Sequence, residues 1–140
     1  MIGRSILELL LFAATASAGC TGVEAPTSAT AIATSPVSIT YSTSFAPLGG
    51  AARLFTASRA GVVSVTLTAA GPPSTVALGL GVGIPRSDGG GCLLSQSVIT
   101  PAGPAAQLST AVDAGDYCVK VFDGGTLTEL VTVTVALTHP

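Results

Sequence analysis

Apolar and polar residues alternate with a period of two in several short stretches from residue 39 to the end of the chain. The clearest stretch is 130–137, in which Val or Leu alternates with Thr or Ala. This period indicates a strand with one buried side and one side that faces solvent. Gly, Pro and Asp residues between the stretches indicate turns. The pattern predicts about eight strands, near residues 39–45, 53–57, 63–67, 76–82, 92–94, 106–112, 117–122 and 130–137.

The spacing of these stretches predicts the fold class. Short strands separated by turns every about 8–12 residues are the pattern of a β-sandwich, and no segment after the N-terminal region has helical periodicity. A chain of 140 residues has room for one such domain. We therefore predict an all-β fold, a single β-sandwich. In the 76–82 stretch, Gly79 and Gly81 make the second side small, and we expect that side to face close backbone or a tight bend.

The N-terminal segment has the features of a secretory signal peptide. Arg4 precedes a short apolar run that Glu8 interrupts, and the small residues Ala16 and Ala18 follow it. A positive start, an apolar core and a small-residue cleavage site define such a peptide. The apolar run is shorter than the about 20 residues that a membrane-spanning helix needs. We predict a signal peptide over residues 1–19 and export of the chain.

Cys20 leaves two ways of processing open. Cleavage before Gly19 follows the small-x-small rule of ordinary signal peptidase. The stretch Ser17-Ala18-Gly19-Cys20 also resembles a bacterial lipobox, although a lipobox usually has Leu where Ser17 stands. Cys20 would then be lipidated and become the first mature residue. Because an odd cysteine in an exported chain needs an explanation, we predict a lipoprotein, with plain secretion as the alternative.

Composition changes abruptly after Cys20. Residues 20–38 are rich in Thr, Ser, Ala and Pro and have no strand or helix period. Such segments are typically flexible linkers. We predict a linker over residues 20–38, with an early edge strand near residues 31–34 as the alternative, followed by one domain over residues 39–140.

The amino-acid composition argues against two kinds of binding site, for nucleic acid and for zinc. Charged residues make up only 9%, with five Lys and Arg against seven Asp and Glu, and no basic run is present. Nucleic-acid binding needs clustered cations that replace phosphate counterions, so we expect no nucleic-acid partner. A zinc site built from His and Cys would need the one His and all three Cys of the chain as its four ligands, so we expect none.

Cys92 and Cys118 are expected to form a disulfide. Export exposes thiols to an oxidising environment, where such pairs form and persist. The two residues are 26 positions apart, and closing a loop of that size stabilises a fold by about 3 kcal/mol in the chain-entropy model. No Cys-x-x-Cys motif and no sequence-adjacent His support a redox or nucleophilic role instead.

Several stretches together resemble the bacterial pre-peptidase C-terminal (PPC) domain, and more narrowly small exported proteins that consist of little else. The most telling part is the Gly-x-Tyr-x-Val-x-Val/Phe core around Tyr117. The resemblance covers roughly residues 39–140. It is carried by residues 63–68, 75–83, 88–92, 114–123 and 127–135.

The resemblance implies a jelly-roll-like β-sandwich that is not itself catalytic. PPC domains often follow secreted proteases as accessory modules, and some related domains bind collagen, polysaccharide or calcium. We expect no protease domain ahead of the β domain, so a role in protease maturation is not carried over. The family offers no catalytic residues to transfer.

The residues also argue against an enzyme. His139 is the only His and precedes the last residue, whereas a Ser-His-Asp triad needs a rigidly held His; we expect an exposed terminal side chain. No Gly-x-Ser-x-Gly motif occurs. Asp113 and Asp123 are interpreted as residues that cap turns, rather than as members of the carboxylate pairs (with Asp116 and Glu129) that a glycosidase would need.

Calcium is the one metal that the acids suggest. Asp88, Asp113, Asp116 and Asp123 lie in predicted loops or at strand ends, and some of them would supply oxygen ligands if they converged at one end of the sandwich. No calcium-loop spacing supports this set. Aromatic residues are too few, at 4% with no Trp, for a strong sugar-stacking face.

These observations predict a non-enzymatic exported accessory or binding module of the bacterial cell envelope, lipid-anchored or extracellular. Its partner would be an extracellular protein or polysaccharide, and membrane contact would occur only through the lipid anchor. The alternative is a calcium-dependent carbohydrate- or matrix-binding module, and a small hydrolase is a weaker third. An exposed apolar or aromatic patch on one sheet would favour binding.

Overall fold

Eight β-strands and no helix make up residues 34–140, the part of the chain that this computed structural model describes. The predicted all-β fold is therefore confirmed. The predicted signal peptide, Cys20 and linker residues 20–33 lie outside the described residues. The strands are β1 (Val37–Phe45), β2 (Gly50–Ala57), β3 (Gly61–Gly71), β4 (Ala77–Pro85), β5 (Cys92–Pro101), β6 (Leu108–Val112), β7 (Gly115–Phe122) and β8 (Val131–His139).

The strands form two antiparallel sheets of four. Sheet A has the order β1-β8-β3-β6, and sheet B has the order β2-β7-β4-β5. Only β4 and β5 are consecutive strands that pair with each other; every other connection crosses from one sheet to the other. This is the strand order of a jelly roll, an eight-stranded double-sheet fold. The predicted jelly-roll-like sandwich is thus confirmed.

The core lies between the sheets and consists mainly of Val and Leu. Alternation along each strand directs every second side chain inward, so the apolar half of the pattern becomes the core. Burial of each such side chain stabilises the fold by about 1.5–3 kcal/mol relative to exposure. The largest fully buried side chains are Val63, Val65, Leu67, Leu78, Leu80, Val82, Val119, Val121, Val131, Val133, Val135 and Leu137.

Two strands differ from the predicted bounds. β1 begins at Val37, so the last two residues of the predicted 20–38 linker belong to the sandwich. β5 continues to Pro101 rather than ending near Leu94. The alternation is interrupted there because Leu94 pairs with Gly83 and Gln96 pairs with Val82, which leaves one extra residue in β5 as a bulge.

The crossing connections divide the loops between the two ends of the sandwich. The loops 46–49, 72–76, 102–107 and 123–130 lie at one end, because β1, β3, β5 and β7 all finish there. Residues 34–36 and the loops 58–60, 86–91 and 113–114 lie at the other end. We call these ends the distal end and the N-terminal end.

Candidate functional site

Asp123 stabilises turns at the distal end. Its carboxylate accepts hydrogen bonds from the N–H groups of Leu48 at 2.8 Å, Gly125 at 2.8 Å, Thr126 at 2.9 Å and Leu127 at 3.2 Å. The Leu48 N–H, with help from the other three, holds the pKa of Asp123 below its ordinary value, although desolvation acts in the opposite direction. The interpretation of Asp123 as a turn cap is confirmed.

The bonds from Asp123 also fix an unusual residue. Leu48 has a φ of 62°, in the left-handed region, and its side chain is 85% exposed. The N–H of Asp123 donates in return to the Gly49 carbonyl at 2.9 Å. The turn between β1 and β2 is therefore held to the end of β7 from both sides.

The other candidate acids lie at the N-terminal end. Asp88 accepts a hydrogen bond from the Gly90 N–H at 2.7 Å and lies 3.5 Å from Nε of Arg86. Asp116, on β7, accepts from the Thr56 hydroxyl at 2.7 Å. Asp113 lies in the turn before β7. Each of these acids belongs to a different local structure.

The four acids do not converge. Asp116 and Asp123 are at opposite ends of β7, a separation of roughly 23 Å along an extended strand. Among residues 34–140, no group of three or more His, Cys, Asp or Glu residues is arranged to hold a metal ion. Asp88 and Asp123 accept hydrogen bonds from N–H groups of their own loops, and Asp116 bonds to Thr56 of the neighbouring strand β2.

The predicted disulfide is present between Cys92 and Cys118. Cys118 lies opposite Gly83 of β4, and Cys92 lies opposite Pro85 of the same strand. β4 runs between β5 and β7, so the bridge passes over β4. The Cα atoms of Cys92 and Cys118 are 5.8 Å apart. The bridge therefore joins β5 to β7, the two strands that flank β4 in sheet B.

Glycines on β4 let neighbouring groups lie flat on the outer face of sheet B. A Cβ at Gly79 would meet the Phe122 ring, and one at Gly81 would lie 2.6 Å from Cδ1 of Leu94. At Gly83 it would meet the backbone of the bulged strand β5. The prediction of close backbone or a tight bend does not hold at Gly79 and Gly81, where the close neighbours are side chains; close backbone occurs at Gly83 instead. Phe122 and Leu94 thus pack on β4 at the outer face of sheet B, whereas Leu54 and Ile99 on the same face are exposed.

The outer face of sheet A is different, because its side chains are small and mostly carry hydroxyl groups. The strands β1, β3, β6 and β8 contain no Asp, Glu, Lys or Arg. Their inward residues form half of the core, and their outward residues form what we call the hydroxyl face. Its Ser and Thr residues are Ser38, Thr40, Ser42, Ser44, Ser64, Thr66, Thr68, Ser109, Thr132, Thr134 and Thr138.

Register aligns these hydroxyls in rows across the sheet. One row runs from Ser38 through Thr138 and Ser64 to Ser109, one residue from each strand. Neighbours in a row are separated by about 4.8 Å, and successive outward positions on one strand by about 7 Å. The paired oxygens Ser38–Thr138 and Ser64–Ser109 are 3.3 and 3.2 Å apart, within hydrogen-bonding reach.

Closer pairs occur between β1 and β8. The Ser42 and Thr134 hydroxyls are 2.9 Å apart, and those of Ser44 and Thr132 are 2.8 Å apart. A hydroxyl has one donor and two acceptor sites, so each paired oxygen still has capacity for a ligand. Pairing therefore fixes the positions of these hydroxyls and leaves some of their hydrogen-bonding sites open to a ligand.

Among residues 34–140 the aromatic residues do not form an exposed platform, and only Phe122, whose ring lies over Gly79, is on the outer face of a sheet. Phe45 and Phe55 are buried, and Tyr117 stacks on Phe55 with the ring centroids 5.7 Å apart. On β1, Tyr41 points inward, and the Arg53 guanidinium lies 5.1 Å from its ring centroid. The Tyr41 hydroxyl is buried without a hydrogen-bond partner among the described residues. Burial raises the Tyr41 pKa, and the Arg53 charge lowers it.

His139 is buried, so the prediction of an exposed terminal side chain is wrong. It is only 6% exposed, its ring centroid lies 5.0 Å from that of Phe55, and Nδ1 is 3.2 Å from the Pro140 carbonyl oxygen. The expectation of exposure treated His139 as a free end, whereas β8 continues through His139 and places it against sheet B. Its contacts are those of a packed side chain.

Comparison with known proteins does not show a family for this chain. No protein-family model matches the chain, and a search of curated proteins finds no match. The resemblance to PPC domains therefore stays a prediction. Within residues 34–140 there is no helix of the length and apolarity needed to cross a membrane.

Proposed function

We propose that this chain is a non-enzymatic exported binding module of the cell envelope, and that its hydroxyl face binds a neutral, hydroxyl-rich polymer such as a polysaccharide. The observation that carries the proposal is a sheet face made mostly of Ser, Thr and Ala, with the exposed Val62 near one edge and without a charged residue. Alternation along each strand directs its Ser and Thr residues outward, and the strand order places the four strands side by side in sheet A.

The chemistry of the face favours a neutral partner. Hydroxyls both donate and accept hydrogen bonds, as sugar hydroxyls do, and each good pair contributes about 0.5–1.5 kcal/mol net. A charged polymer would lose hydration against this face and find no opposite charge, which is costly. Hydroxyls about 4.8 Å apart within a row, in rows about 7 Å apart, offer many weak contacts to an extended chain rather than one deep pocket.

Export is supported by the disulfide. Disulfides persist mainly in oxidising compartments outside the cytoplasm, and the Cys92–Cys118 bridge joins strands of the core sheet rather than a loop. Anchoring through a lipid on Cys20 is part of the proposal and rests on the Ser17-Ala18-Gly19-Cys20 stretch alone. Mass spectrometry of the N-terminal peptide from the native membrane tests it directly.

The binding proposal is tested by co-sedimentation of the purified chain with insoluble neutral polysaccharides and with anionic ones of similar chain length. Thr66 lies in the middle of the face, next to Ala136 of β8. Thr66→Lys should abolish binding to the neutral polymer, while Thr66→Ser, which keeps the hydroxyl, should retain it. Ser97→Lys on sheet B is the matched control and should bind normally.

The outcomes separate the candidate functions. Binding that Thr66→Lys and Ser97→Lys weaken equally would contradict a role for the hydroxyl face. Binding that a calcium chelator abolishes would favour the calcium-dependent alternative. No binding to any polymer would leave an accessory module with a protein partner, and the proposal for this face would be wrong.

A further inference from the structure

The two sheets have four edge strands, and three of them carry features that discourage pairing with another chain. Unpaired backbone N–H and C=O groups at an edge invite strand addition, and proteins prevent it with short strands, inward charges, bulges or prolines. β6 has only five residues. β2 has the inward-facing Arg53. β5 has its bulge and ends at Pro101.

β1 has none of these features. It is nine residues long, contains no charge and no Pro, and keeps an unbroken register with β8 from Val37 to Phe45. Within residues 34–140, β1 pairs with β8 and with no other strand. Its other edge therefore presents about 30 Å of regular backbone, whose hydrogen-bonding groups have no partner among the described residues.

We propose that a second copy of this chain pairs antiparallel along that edge to form a two-fold symmetric dimer. A dyad at Tyr41, the middle residue of β1, places Ser38 opposite Ser44 of the second copy and Thr40 opposite Ser42. Because every outward position from 38 to 44 carries a hydroxyl, the pairing matches hydroxyl with hydroxyl. Such an interface is closed, since each copy uses the same strand.

The same chemistry already operates on the other side of β1. Opposed Ser and Thr hydroxyls between β1 and β8 lie 2.8–3.3 Å apart, at Ser44–Thr132, Ser42–Thr134 and Ser38–Thr138. Opposed pairs of this kind contribute roughly 0.2–1 kcal/mol each. A second β1 would repeat on its free edge the arrangement that β8 provides. The uncharged, self-matching strand fits a copy of itself better than a charged peptide.

Pairing would join the two four-stranded A sheets into one continuous sheet. The two hydroxyl faces would then adjoin as one surface, and a long polymer would engage both at once, which raises avidity without new contacts. This consequence rests on the proposed function, whereas the dimer itself does not. The two ideas therefore fail separately.

Sedimentation velocity over a concentration series, without polymer, tests the dimer. The full chain carrying Cys20→Ser should be used, so that no disulfide through Cys20 creates a dimer. We expect this chain to sediment as a dimer. Thr40→Lys/Ser42→Lys places two introduced ammonium groups on each strand opposite two on the other, and should raise the dissociation constant at least about tenfold.

Ser109→Lys/Ala111→Lys is the matched control. It adds the same charge to the same face but at β6, the opposite edge of sheet A, and it should leave the dimer intact. Circular dichroism should show that both variants are folded. A monomer at every concentration, or equal dissociation of both variants, would overturn the proposal, as would a dimer that survives Thr40→Lys/Ser42→Lys.

Discussion

Gly83 is the residue of β4 at which the addition of one methyl group should be least tolerated. A Cβ there would lie 2.6 Å from the carbonyl carbon of Leu93 and 2.7 Å from Cα of Leu94. Both atoms belong to backbone. At Gly79 and Gly81 the nearest atoms belong instead to the side chains of Phe122 and Leu94, which can rotate. Gly83→Ala therefore requires β5 to move away from β4.

Two bonds oppose that movement. The Ser95 hydroxyl donates to the Val82 carbonyl at 3.1 Å across the bulge, and the disulfide holds Cys92 to β7. Overpacking of a filled site costs about 1–3 kcal/mol, and we expect Gly83→Ala to be at the upper end, about 3 kcal/mol. At about 4 °C per kcal/mol for a domain of this size, the Tm should fall by roughly 12 °C.

The assay is thermal and urea unfolding under oxidising conditions, followed by circular dichroism. Gly124→Ala is the control, because its Cβ would meet only Cδ1 of the exposed Ile99 side chain, at 3.3 Å, and should change the free energy of unfolding by less than about 0.5 kcal/mol. Equal, small losses for Gly83→Ala and Gly124→Ala would refute the argument that close packing on β4 shapes sheet B.

Three further predictions concern individual groups. Reduction of the Cys92–Cys118 disulfide should lower the free energy of unfolding by about 3 kcal/mol in the chain-entropy model, measured by urea unfolding with and without reductant. The lowered pKa of Asp123 means that its carboxylate stabilises the fold above its unfolded pKa and loses that effect as the pH falls through the folded pKa. Asp123→Asn should therefore be less stable than the native chain at neutral pH, and the difference should shrink in acid; a constant difference would contradict this. Tyr41→Phe removes a buried hydroxyl without a partner among the described residues, so it should leave stability unchanged or raise it by up to about 1 kcal/mol. The raised pKa of Tyr41 stabilises the folded state below the unfolded pKa of about 10, and this contribution is lost as the pH rises further. Tyr41→Phe should therefore lose less stability above pH 10 than the native chain does.

The fold class was accessible from sequence because alternation persists through most strands. β8 is an example: Val131, Val133 and Val135 are buried, and the Thr residues between them face outward. The second half of β5 could not be predicted from sequence. A bulge shifts the period there by one residue, and the outward residues of β5 do not differ in polarity from its inward residues. A periodic pattern predicts only strands that keep their register.

Sites that depend on strand order were harder to predict. Ser64 and Thr138 are far apart in the chain, and only the pairing of β3 with β8 places them side by side. The alternating Ser and Thr residues were visible in sequence, but the sequence of one strand does not show which other strands lie beside it. It therefore did not show that four strands direct these residues to one face. The same reason explains why Asp116 and Asp123, which are close in sequence, lie at opposite ends of β7.

The burial of His139 shows a third limit. Its place next to the last residue suggested exposure, but the jelly roll uses β8 as an inner strand of sheet A between β1 and β3. Residues near the end of an inner strand are packed like any others. Position along the chain is therefore a poor guide to burial when the final strand is central.

The most direct test of the central claim is an NMR titration of the chain with a soluble, neutral oligosaccharide. If the hydroxyl face binds the sugar, amide shifts should change along β1, β3 and β8, and Thr66→Lys should remove the changes. Shift changes confined to sheet B or to the loops, or none at concentrations that saturate a weak site, would contradict the account.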